Sequence, residues 1–192
     1  FRGADGPDRI SPFYDEDFDS WVAPFVMGPI NTRVVRRSAE LLGDMYGSNF
    51  RYDEGILTRG GPTGFLGATG IGLATGLAMA TLAAPPTRKI IKRLIPKPGE
   101  GPSEQDQEQG FFEIELKAKH PDDEGLDLRA IVKGDRDPGY GSTAKMIVES
   151  ALALAHDDIK KGGGFWTPAS VIGDQLLQRL PLHAGVTFEL AG

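Results

Sequence analysis

Tyr140 and Lys145 are the side chains whose types come nearest to carbonyl chemistry, a phenol able to protonate a carbonyl oxygen and an ammonium able to assist it. They lie five residues apart, whereas four would turn both toward a substrate from one helical face. The spacing does not support a dyad, and each residue stands as a separate catalytic candidate. The same stretch, "DPGYGSTAKM", offers a second chemistry. Asp137 to Gly141 reads as a turn into a helix N-capped by Ser142 or Thr143, which would present unpaired backbone N–H groups to a cofactor or substrate oxygen. On that reading Asp137, Gly139, Gly141, Ser142 and Thr143 contact ligand. On the alternative, the glycines only permit a tight connection between a hairpin and a helix. Asn31 and Arg33 begin an earlier helix, where Arg forks suit phosphate or thioester-linked pantetheine. Arg36 and Arg37 stand four and three residues before Glu40, and Lys145 four before Glu149, the spacings of solvated ion pairs.

Other chemistries are excluded or unsupported. His120, His156 and His183 are separated by 36 and 27 residues, no metal-ligand spacing, so no metal is expected. The absence of Cys removes disulfides, thiolate metal sites and a thiol nucleophile, and fits a protein facing the cytoplasm. The run Gly67-Ala-Thr-Gly-Ile-Gly72 has the look of a nucleotide-phosphate loop, but such a loop follows a strand and precedes an acidic residue by about 20 positions. Here Gly and Pro precede it and the next acid is Glu100, so helix packing explains it better. Phe165 and Trp166, after three glycines, read as core anchors.

The elements that must position these residues sit in 192 residues with a net charge of −6, which disfavours nucleic acid as a partner. The charge is segregated. Between Gly55 and Gly99 there is no Asp or Glu, while Arg59, Arg88, Lys89, Lys92, Arg93 and Lys97 give that segment +6 and leave 15 basic against 27 acidic residues elsewhere. Inside it, Thr63 to Ala84 is a run of 22 uncharged residues, ~33 Å as a helix against a hydrocarbon core of about 30 Å. Its Gly72, Gly76, Ala80 and Ala84 recur every four positions, a spacing that lets two helix backbones approach and makes a homodimer one expectation. Leu73 and Leu77 with the collar of Arg88, Lys89, Lys92 and Arg93 suit an anionic membrane surface, which makes membrane association on the cytoplasmic side another. Insertion would be marginal, because many residues of the run are Gly, Ala or Thr.

Periodicity places the rest. Val34, Val35, Ser38, Leu41, Leu42 and Met45 predict one core-facing helix stripe from Asn31 or Thr32 to before Gly47, and Phe50 with Tyr52 the start of a strand. Residues 96–110 read as a polar loop. Phe112, Ile114, Leu116 and Ala118, then Leu126, Leu128, Ala130 and Val132, predict a hairpin over 111–133. Ala144, Ile147, Val148, Ala151, Leu152 and Ala155 form a second inward stripe. Thr167 and Pro168 open a last helix with Ile172, Leu176 and Leu180 inward, before a strand with Val186, Phe188 and Leu190. The expected fold is a single α+β domain over 1–192, a mixed sheet flanked by helices, with a long Gly/Ala-rich apolar helix.

Several runs resemble a known family: "APFVMGPINTRVVRRSAELLG", "YGSNFRYDE", "APPTRKIIKRLIPKPGEGPSEQDQEQGFFEIEL", "GDRDPGYGSTAKMIVESALALA" and "GGFWTPASVIGDQLLQRLPLHAGVTFEL". In this order, from about Trp21 onward, they resemble the C-terminal half of the saccharopine dehydrogenase-like oxidoreductases, nearest to the trans-acting enoyl reductases of polyketide-derived glycolipids. The resemblance implies a preceding Rossmann half that binds NAD(P), absent here. It also implies that 141–192 return to that half and that the substrate is an acyl or polyketide-type lipid. This chain alone would then bind no cofactor. The first residue is Phe rather than Met, in keeping with a fragment. The alternative is a non-catalytic membrane-associating or dimerising module.

Overall fold

A computed structural model describes residues 6–83 and 100–191, and these divide into two compact units, Phe1–Pro98 and Gly99–Gly192. The fold is α+β, with five helices and two three-stranded sheets among the described residues. Both sheets are antiparallel throughout, where a mixed sheet was expected.

In the first unit, β1 (Phe13–Asp15), β2 (Ser20–Pro24) and β3 (Gly55–Leu57) pair in that order. The third strand begins beyond Phe50 and Tyr52, which lie before it. Helix α1 (Gly28–Leu42) starts earlier than the sequence suggests because Pro29 suits a first helical turn, leaving Asn31 and Thr32 inside the helix. It ends at Gly43, whose φ of 65° is costly for any residue with a Cβ. Its buried residues are Gly28, Thr32, Ser38 and Ala39, while Val34 and Met45 of the expected stripe are exposed. The hydroxyls can be buried because Thr32 Oγ1 and Ser38 Oγ donate to the carbonyls of Gly28 and Val34, each at 2.8 Å. Helix α2 (Gly61–Ala83) matches the apolar run and buries Gly64 and Ala68 on its sheet side. Trp21 meets Phe65 edge-on at 4.8 Å, and Thr58 Oγ1 donates to the carbonyls of Trp21 and Gly64 at 2.8 and 3.0 Å.

In the second unit, α3 (Glu104–Gln109) interrupts the expected polar loop. Ser103 caps it by accepting from Asp106 N–H, and acidic residues in the first turn favour the helix dipole. The predicted hairpin is present as β4 (Phe112–Ala118) and β5 (Leu128–Gly134), with Ile114 opposite Val132 and Leu116 opposite Ala130. Two helices follow, α4 (Gly141–His156) and α5 (Pro168–Arg179), and after them β6 (Val186–Ala191) pairs antiparallel with β5. Thr167 and Ser170 form the N-terminal capping box of α5, ahead of the inward Ile172. After it, Pro181 has no N–H to donate, and the chain widens into a π turn over Leu180–Ala184 closed by Gly185 at φ 67°. Leu180, Ala184 and Val186 form the core with Phe112, Val132, Met146 and Leu176.

Helix α4 presents the opposite face from the one expected. Gly141, Ser142, Glu149 and Ala153 are buried, while Ile147 is 66% exposed and Val148 and Leu152 are also exposed. The polar Glu149 turns inward because Arg179 meets it there. Phe165, expected as a core anchor, is 97% exposed. Trp166 is partly covered by Lys161, whose Nζ lies 4.9 Å from the ring centroid.

Candidate functional site

The turn between β5 and α4 carries most of the candidate residues. It is pinned at both ends, Asp135 N–H donating to Gly185 O at 3.2 Å and Asp137 N–H to Gln107 O at 3.1 Å. The Asp137 carboxylate accepts from the backbone N–H of Gly139, Tyr140 and Gly141 at 3.0, 2.7 and 2.9 Å. Those bonds, Gly141's foremost, hold its carboxyl below the ordinary value. Helix α4 therefore begins at Gly141 after Tyr140, and neither Ser142 nor Thr143 is its cap. Ser142 Oγ, fully buried, donates to Arg136 O at 3.0 Å, and Thr143 Oγ1 donates to Pro138 O at 2.6 Å. The amides expected to meet an external anion thus meet Asp137. Its negative charge also opposes a second anion there.

Lys145 Nζ binds both oxygens of Asp135, at 2.9 and 3.1 Å, rather than Glu149. Its ammonium is engaged in fixing the turn. Tyr140 is 55% exposed, its ring lies beside Gly101, and its hydroxyl makes no hydrogen bond to another described residue. It is the half-exposed member of the group, with its hydroxyl engaged by no other described residue. Asn31 and Arg33 belong to the first unit, on α1. Arg37 pairs with Glu40 at 3.0 Å as the spacing predicts, but Arg36 pairs with Asp8 at 3.1 Å instead. The Gly67–Gly72 run lies within α2 and forms no loop. Leu73 and Leu77 lie on the same helix, and Arg88, Lys89, Lys92 and Arg93 fall outside the described residues.

Two features escaped sequence reasoning. Arg179 grips Asp157 through two bonds of 2.8 and 2.7 Å and reaches Glu149 at 2.9 Å, tying α5 to the body and end of α4. The partners are 22 and 30 residues apart, beyond any helical spacing, so no periodic signal marks them. In the first unit, Glu54 accepts from Tyr52 OH at 2.8 Å, while its other oxygen is buried without a hydrogen-bond partner among the described residues, beside Gly28 at the start of α1. Burial and this bond raise the Tyr52 phenol.

Arg179 holds the Asp157 carboxyl below its ordinary value near 3.8. A lowered folded-state pKa contributes stability above the unfolded value that is lost as pH falls through the folded one. The thermal midpoint of the second unit is therefore expected to drop below about pH 4, with Asp157→Asn flattening the drop in an acid titration followed by circular dichroism. An unchanged acid limb in that variant would assign the loss to other carboxylates.

No family model matches the chain, and no solved structure matches it. Among curated proteins, a chain of Mycobacterium tuberculosis provisionally named a trans-acting enoyl reductase is 40% identical over 174 residues, 88% of this chain and 41% of its own length. Proteins named trans-acting enoyl reductase from Mycobacterium ulcerans and Mycobacterium bovis are 39% and 38% identical, covering 84% and 86% of this chain and 39% and 40% of theirs. The chain thus spans about two fifths of the length of these relatives.

Proposed function

We propose that this chain is the substrate-handling and association part of an NAD(P)-dependent enoyl reductase of the saccharopine dehydrogenase-like kind, serving lipid or glycolipid synthesis. The observation that carries the reading is the 40% identity, over 88% of the chain, to a relative provisionally named a trans-acting enoyl reductase. Two features support leaving the cofactor to another part of the protein: the Gly67–Gly72 run is helical, and the amides ahead of α4 are taken by Asp137. The cofactor belongs, on this reading, to a further part of a longer protein. The outward apolar face of α4, with Ile147 and Val148, is the surface such a part would cover. On this reading Tyr140, half-exposed and with its hydroxyl bonded to no other described residue, would donate to the substrate carbonyl oxygen.

Oxidation of NADPH with an α,β-unsaturated acyl thioester tests this directly, comparing the chain with a protein extended to the relatives' length. Turnover is expected from the extended protein and not from the chain alone. In the extended protein, Tyr140→Phe should lower kcat at least about tenfold with little change in KM. A rate within about twofold of wild type removes Tyr140 from the site. Ile147→Asp should leave the stability of the chain within about 0.5 kcal/mol, as exposed substitutions do, yet abolish turnover in the extended protein. Turnover by the chain alone would defeat the division of labour.

A further inference from the structure

We infer that the distal half of α2 inserts into the near leaflet of an anionic lipid bilayer. The helix is uncharged over 23 residues and long and apolar enough to cross a membrane, and its residues are almost all outside the protein interior. Its beginning is the part packed against other described residues: Gly64 and Ala68 are buried, and Gly72 lies against Pro12 and Pro24. Beyond that point Leu73 is 70% and Leu77 68% exposed, and Met79 is exposed as well. An apolar surface of this kind is an interaction site, not a normal solvated face.

Length and charge decide the occupant. The helix as a whole would measure ~34 Å, enough to span, but its first three turns are held by the sheet. The portion beyond Gly72, residues 73–83, reaches ~16 Å, about half of a hydrocarbon core of about 30 Å. One leaflet fits that reach and a full span does not. The portion can be buried in lipid at small polar cost, since its backbone is helical and Thr81 Oγ1 donates to Ala78 O at 2.8 Å. The chain that follows adds Arg88, Lys89, Lys92, Arg93 and Lys97 with no acid before Glu100, in a protein otherwise strongly acidic. That complement suits anionic headgroups, whereas a second identical copy would bring like charges together.

Flotation of the full 192-residue chain on vesicles of phosphatidylcholine with phosphatidylserine, against phosphatidylcholine alone, tests the proposal. Binding is expected on the anionic vesicles, weakened by salt. Replacing Arg88, Lys89, Lys92 and Arg93 by Gln should weaken it at least about tenfold. Leu73→Gln with Leu77→Gln should abolish it while circular dichroism shows an unchanged fold, because both side chains are already exposed. Leu190→Gln, an equally exposed apolar residue of the second unit, should float like the wild type and so separates insertion from general stickiness. Equal binding to neutral vesicles, or insensitivity to Leu73→Gln with Leu77→Gln, overturns the proposal. So does a chain that fails to float and runs instead as a dimer dispersed by those two substitutions. None of these readings depends on reductase activity.

Discussion

Gly64→Ala is expected to destabilise the first unit by at least about 2 kcal/mol, although the same substitution in an open helix position would stabilise it by up to about 1 kcal/mol. A Cβ on Gly64 would lie 1.5 Å from the carbonyl oxygen of Arg59 and 2.4 Å from its carbonyl carbon. Those are backbone atoms of the segment that leads from β3 into α2, next to Thr58, whose hydroxyl ties Trp21 and Gly64 together. No side-chain rotation relieves the clash. The helix must back away from the sheet, which breaks the Thr58 bond and parts Trp21 from Phe65. Gly70→Ala and Gly76→Ala are the comparison, since a Cβ at either meets nothing within 4 Å. Both should raise stability by about 0.5–1 kcal/mol through the helix propensity of Ala. Urea unfolding followed by Trp21 fluorescence, in a Trp166→Phe background, reads all three. Stabilisation by all three would mean that α2 is not seated through Gly64.

The small-residue spacing of this helix was legible in the sequence, but its meaning was displaced by two turns. Gly72, Gly76, Ala80 and Ala84 stood out because they repeat, whereas the seat uses Gly64, Ala68 and Gly72. Periodicity reports that a face is narrow and leaves open where a partner begins. The same limit explains α4, whose apolar stripe was placed inward on the premise that a helix buries its apolar side. Here the inward side is set by Glu149 meeting Arg179, a pairing across 30 residues that no local window contains. Strands fared better: the alternation from Phe112 to Ala118 fixes which residues share a face, and Ile114 and Leu116 do lie opposite Val132 and Ala130. The buried face expected of the hairpin is nonetheless absent from this strand, where every residue after Phe112 is exposed. The site turn was located from its glycines, but the helix start was placed too late. Asp137 takes the amides from four residues before Gly141, so the Asp-Pro-Gly sequence, an Asx-turn signal, was the one to weigh.

Gly134→Val is expected to cost the second unit about 3 kcal/mol even though Val suits a strand better than Gly. Gly134 closes β5 opposite Phe112 on β4 and Val186 on β6, and the Phe112 ring lies over it, its Cε1 2.0 Å from where a Cβ would sit. The ring cannot swing away cheaply, because it packs with Val132, Met146 and Leu176 on Leu180, Ala184 and Val186. Removing the ring alone by Phe112→Ala should cost about 3 kcal/mol through the cavity it leaves. The pair should cost markedly less than the sum, since the valine then occupies space the ring has vacated, a coupling of about 1–2 kcal/mol in a double-mutant cycle. Strict additivity in urea unfolding would show that the ring is not the obstacle. The chain leaves β5 at Gly134 directly into Asp135, the partner of Lys145, so a displaced strand end shifts the turn that holds Tyr140. In the extended protein, Gly134→Val should therefore lower turnover beyond what its loss of folded population explains, and restoration of that turnover by Phe112→Ala would tie the site geometry to this contact.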